Sequence, residues 1–295
     1  MPERKACEMG PVSVISETRC ELGEGPLWHP LRGTLYWFDV LGCRLYSGEN
    51  GDERYWQFDE TVSACGWVDQ SRLLIAGETR LFVFDVETGR QETVCPFEPG
   101  NTVTRSNDGR ADPWGGFWIG SMGKNVMHDD AERGAGAIWR FYRGEMVLLY
   151  PGISIANAIC FAPDRSCAYY TDTMRRRVFR QALNPSDGFP AGAPEVFLDL
   201  RAEGLNPDGA VVDSEGCIWN AQWGAGRVAR YGPDGKLREV IGLPARQTSC
   251  PAFGGPDMST LFVTSAALGL DGAADGKTYA VETPYRGVPE HRVIL

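Results

Sequence analysis

Histidine is scarce in this chain, with only His29, His128 and His291 among 295 residues. None stands at ligand spacing to another or to a cysteine pair, which argues against a zinc site. The nine cysteines form no CxxC and share no repeating spacing. They read as reduced thiols packed as small hydrophobes rather than as a disulfide framework. No stretch approaches the roughly 18 apolar residues of a membrane span. The opening MPERKACEMGPVSVIS lacks a signal-peptide core, so a cytoplasmic location is expected. Positive charge is also short: 29 basic residues face 39 acidic ones, for a net charge of −10. Only Arg175-Arg176-Arg177 offsets this locally, and three arginines make no phosphate-tracking stripe. Nucleic acid and anionic membranes are therefore poor partners.

A helical period of 3.6 residues is nearly absent as well. What the chain has instead is a repeat. Short β-branched and aromatic runs, bounded by Gly, Pro, Asp and Ser, recur in six units. Their leading pairs of runs span 25–40, 65–77, 107–122, 157–173, 207–223 and 250–266. A third run follows in each: RLYSG, RLFVFDV, AIWRFYRG, RVFRQAL, RVARYG and KTYAVE. Asp112-Pro113, Pro163-Asp164, Asp213-Ser214 and Pro256-Asp257 supply turns between the first two runs. A period of roughly 40–50 residues is that of four-stranded propeller blades. The expected fold is all-β: one six-bladed β-propeller domain over residues 1–295, with antiparallel blades starting near 25, 65, 107, 157, 207 and 250. VSVIS near the start and HRVIL at the end are candidate strands for closing the ring, which removes exposed sheet edges.

In a propeller the first strand of each blade lines the central channel, so residues at its start converge on the axis. Glu24, Asn107-Asp108, Asn157, and Asn206 with Asp208 occupy those places in units one, three, four and five. Units two and six carry Ala64-Cys65 and Cys250-Pro251 instead. Carboxylates gathered on an axis repel one another unless a cation neutralises them. Oxygen-only donors suit a hard divalent ion. The same residue types also satisfy turn backbones at strand entries, and the repeat does not separate the two readings.

At these residues the chain resembles the gluconolactonase and senescence marker protein-30 (regucalcin) family, from about Cys20 to Ala280. LGEGPLW (22–28), RSNDG (105–109), IAN (155–157), NPDG (206–209) and FGGPD (253–257) carry the resemblance. It implies that Glu24, Asn157 and Asp208 bind one divalent cation. Calcium is expected first, and zinc, magnesium, manganese or ferrous iron could replace it. Arg105 and Asn107 would contact substrate, and Asp208 would also act as base or steer the attacking water. The implied activity is metal-dependent opening of a sugar-acid lactone by a monomer or weak homo-oligomer. The alternatives are a calcium-binding or scaffold propeller without turnover, and an esterase or phosphotriesterase on the same metal.

The polar insertion Gly120–Gly136 departs from the family pattern. Lys124 is the expected substrate contact there, with His128 and Arg133 as further candidates in a lid; a solvated connector is the other reading. Trp37, Trp118, Trp139 and Trp219 are expected to pack between blades, and Trp223 to reach the pocket. His29 is expected to be a structural contact, and Asp172 to lie outside the metal shell.

Overall fold

A computed structural model describes residues 9–49, 52–124 and 132–295. Their strands form six four-stranded antiparallel sheets. The inner strands are Gly23–His29, Val62–Trp67, Thr104–Ala111, Ala156–Phe161, Asn206–Val212 and Gln247–Gly254. Each packs against the inner strand of the next blade, and the sixth packs against the first. The fold is therefore the six-bladed β-propeller that the repeat predicts. The only helical element among the described residues is a 3₁₀ turn at Thr173–Arg175.

The core follows from the alternation within each strand. Apolar side chains leave both faces of every blade and meet the neighbouring blade, giving six hydrophobic wedges. Trp37 fills the wedge between blades 6 and 1, Trp118 that between blades 3 and 4, and Trp219 that between blades 5 and 6. Trp139 packs against the wedge between blades 2 and 3. Trp118 meets Phe161 edge-on at 5.4 Å and Trp219 meets Phe253 likewise at 5.6 Å. Each such ring contributes about 1.5–3 kcal/mol through burial alone.

The two chain ends behave differently. Ser13–Ser16 pairs with the third strand of blade 6, at 278–282, and supplies that sheet's outer strand. HRVIL, expected as a second closing strand, instead crosses the end of the propeller where the inner strands finish. Val293 N–H donates to Trp67 O and Ile294 N–H to Gly115 O, each at 2.9 Å. Trp67 Nε1 donates to Glu290 O at 2.7 Å, so the tail is held under blades 2 and 3. The outer strand of blade 6 was already filled from the N-terminus, which left the tail no edge to join.

Candidate active site

The expected ligands do not precede the inner strands; they lie within them. Each inner strand begins one to three residues earlier than expected, and every one is bulged near its start. The register breaks between Glu24 and Leu27, Val62 and Ala64, Ser106 and Gly109, Asn157 and Cys160, Pro207 and Ala210, and Thr248 and Pro251. A bulge re-aims side chains that would otherwise pack between blades. Gly25 takes φ 54°, and a Cβ there would sit 2.3 Å from Ser63 O. A Cβ on Gly209 would sit 2.3 Å from Cys250 Sγ. Glycine after each carboxylate thus lets neighbouring blades approach. Ala158 holds the matching place after Asn157 at φ 56°, a conformation costing a side-chain-bearing residue about 1–2 kcal/mol.

Glu24, Arg105, Asn107, Asn157 and Asp208 come together on one cavity of about 780 Å³, a size suited to a small molecule. All five are buried. A directed chain of hydrogen bonds orders Arg105, Asn107 and Asn157 across three blades. Arg105 Nη1 donates to Asn107 Oδ1 at 2.9 Å, and Asn107 Nδ2 to Asn157 Oδ1 at 2.9 Å. Asn157 Nδ2 donates to Thr173 Oγ1 at 2.9 Å, whose hydroxyl donates to Pro207 O at 2.7 Å. This chain fixes the orientation of the Asn157 amide and leaves its oxygen a second lone pair. Blades 2 and 6 contribute serines instead of ligands. Ser63 Oγ donates to Asn107 O at 2.6 Å, and Ser249 Oγ to Gly23 O at 2.5 Å. They brace the ligand-bearing strands beside them.

The electrostatics are unbalanced. Burial and the nearby Asp108 charge push Glu24 up to about 8. Burial and then Glu24 hold Asp208 well above the usual carboxylate range. Asp108, which accepts from Ile159 N–H at 2.7 Å, is raised by burial to about 6. Burial lowers Arg105 to about 10, although Glu24, Glu78 and Asp208 oppose it. Glu24 and Asp208 thus disfavour each other's charge, which is the condition a bound cation relieves. With the Asn157 amide they make an all-oxygen donor set that fits a hard divalent ion. Among the described residues no three His, Cys, Asp or Glu side chains cluster as a metal site, so the fit depends on the amide.

Lys124 is not brought to this cavity. Its Nζ pairs with Glu78 Oε1 at 2.8 Å, which ties down the start of the insertion. His128 lies outside the described residues, whereas Arg133 lines the cavity. Trp223 lines it too. His29 is buried and its Nε2 lies 2.9 Å from Asp69 O, a structural contact. Asp172 accepts the Ser154 and Ile155 amides, which leaves it outside the ligand set. Sequence reasoning missed Thr173, Arg176 and Arg201 on the cavity wall. The arginine triplet after the second strand of blade 4 was the available signal.

The comparisons agree with this geometry. The SMP-30/gluconolactonase/LRE-like region matches residues 22–267. The chain belongs to that family. A Rhizobium meliloti (strain 1021) protein with a provisional sugar lactone lactonase name is 40% identical, over 92% of this chain and 94% of its own. The 6-deoxy-6-sulfogluconolactonase of Pseudomonas putida is 34% identical, over 83% of each chain. A calcium-binding protein, regucalcin, from Agrobacterium tumefaciens str. C58 superposes with a TM-score of 0.92 at 38% identity, covering 97% of this chain and 98% of that one.

Proposed function

We propose that this family member is a sugar-acid lactonase, a carboxylic-ester hydrolase that opens its substrate's ring with the help of one divalent cation. The observation that carries the reading is the pair of buried carboxylates, Glu24 and Asp208, lining one cavity with Asn157. Both are held above the usual carboxylate range, Glu24 by burial and then Asp108, and Asp208 by burial and then Glu24. Lactonase names among its relatives support the ester chemistry, and the regucalcin neighbour supports a cation. Glu24, Asn157 and Asp208 would hold the ion, with calcium the first expectation. When bound, it supplies a Lewis acid for the lactone carbonyl.

The chain's own residues do the rest. Asp208 takes or steers a proton of the water that attacks the carbonyl carbon. The ring C–O bond breaks, the ring oxygen leaves as a hydroxyl, and the new acid releases a proton at neutral pH. Arg105 has donors beyond those spent on Ser106 O and Asn107, and these serve substrate hydroxyls or the developing oxyanion. Asn107 orients Asn157 while lining the cavity itself, so it acts on both ligand shell and substrate. Proton release from a panel of aldono-γ- and δ-lactones tests the reading. Acceleration over spontaneous opening on at least one lactone is expected. A failure to accelerate any of them would leave a cation-binding propeller without turnover.

A further inference from the structure

The rim of the cavity runs against the charge of the protein. The chain carries −10 overall. The buried charged residues on the cavity are Glu24, Arg105 and Asp208, but the exposed ones are all arginine: Arg133, Arg175, Arg176 and Arg201. Scattered surface charge would place acids there more often than bases.

Two of these arginines are held in place. Arg175 ends the 3₁₀ turn Thr173–Arg175, and Arg176 follows it at φ 52°, a region that side-chain-bearing residues adopt rarely. The turn is anchored to the ligand set, because Thr173 accepts from Asn157 at 2.9 Å and donates to Pro207 O at 2.7 Å. It is therefore fixed relative to the point where the lactone carbonyl would react.

Arg176 is not neutralised by its partner, whereas Arg175 shares a carboxylate. Arg176 Nε donates to Asn206 Oδ1 at 2.9 Å, a neutral group. Arg175 Nε lies 3.4 Å from Asp172 Oδ2, a carboxylate already accepting two backbone amides. Arg133, from the neighbouring blade 3, has no ion pair among the described residues. Arg201 differs, since both Nε and Nη2 are spent on Asp199 at 2.7 Å. The surplus positive charge thus sits on Arg133 and Arg176, with the ion-paired Arg175 beside them. Elsewhere on the wall Leu22, Trp223 and Leu268 are uncharged, so the cavity is polarised.

Building on the lactonase reading, we infer that the substrate is an anionic sugar lactone. It carries an oxyanion substituent remote from the ring carbonyl, and Arg175 and Arg176 hold that group, with Arg133 facing it. A guanidinium fork matches the paired oxygens of carboxylate, sulfonate and phosphate alike. A neutral sugar would leave these forks in water and gain nothing from them.

The test compares kcat/KM for gluconolactone with its 6-phosphate, its 6-sulfonate analogue and its 6-carboxylate analogue. At least one charged member should exceed the neutral lactone by about tenfold or more. Which member does so identifies the oxyanion. The advantage should shrink as sodium chloride is raised. The double substitution Arg175→Gln/Arg176→Gln should cut the anionic-to-neutral ratio towards one, and Arg175→Lys/Arg176→Lys should retain part of it. Equal rates on all four lactones, or a ratio that survives the double glutamine variant, would overturn the inference and leave the lactonase reading intact. If no lactone is turned over, that reading fails and calorimetric titration with gluconate and 6-phosphogluconate judges the rim alone. Tighter binding of the phosphate, lost in the double glutamine variant, would then support the inference. Equal affinity for the two acids would refute it.

Discussion

The channel holds two groups of buried charges, built on the same inner strands and treated in opposite ways. At the end closed by the C-terminal tail, Arg110 meets Glu290 in a buried ion pair and donates further to Ile159 O and Ala210 O, each at 3.2 Å. Every charge there has a protein partner. At the open end, a few residues earlier along the strands, Glu24 and Asp208 line one cavity, and Arg105 is the only cation among the buried residues there. Burying a charge is costly unless it is paired, so the first group reads as structure and the second as a binding site. Adjacent turns of one strand can therefore carry opposite duties, and the electrostatic balance tells them apart.

The largest expected effect falls on the open end. Asp208→Ala should reduce kcat on the best lactone by about a hundredfold to ten-thousandfold, measured by proton release. In chelator the same variant should melt no lower than the parent, because it removes a repulsive charge. A clear loss of stability in chelator would place Asp208 with the structural charges instead. Glu290→Gln is the counterpart at the closed end. It leaves Arg110 buried and unpaired and should cost about 3–5 kcal/mol by denaturant unfolding. If the cost were negligible, the tail would be mere packing and the contrast would disappear.

The pH dependence sharpens the same point. Glu24 rises from an ordinary 4.5 to about 8 on folding, so the folded protein holds a proton that the unfolded chain has released. The contribution of Glu24 to the stability of the metal-free protein is then full below about 4.5 and is lost as pH rises through about 8. A saturating divalent ion should flatten that slope, and thermal scans across this range with and without chelator would show it. The smallest effect is that of Asn107→Ala. It removes donors to Ala156 O and Asn157 and should raise KM by about tenfold with a smaller change in kcat.

The open end was largely legible in the sequence, whereas the Arg110–Glu290 pair was not, and the missing parts have physical causes. The six units and their third strands were readable because alternation and turn residues are local signals. The convergence of Glu24, Asn157 and Asp208 followed from the repeat, since equivalent positions in a ring share an axis. The bulges were not readable: they depend on how neighbouring blades pack, as the close approaches at Gly25 and Gly209 show. They moved the candidate ligands from strand entries into the strands. The pairing of Lys124 with Glu78 was not readable, because nothing local announces a partner from another blade. The path of HRVIL depends on which terminus fills the sixth sheet, and that is a property of the closed ring.

The central claim is that the open-end carboxylates are balanced by a cation which the reaction needs. The direct measurement is lactone turnover by protein stripped with chelator and then reloaded with calcium, magnesium, manganese, zinc or ferrous iron in turn. The account predicts near-zero rate after stripping, restoration by at least one ion, and no restoration in Asp208→Ala. Full turnover in excess chelator, or failure of every ion to restore it despite measurable binding, would contradict the account.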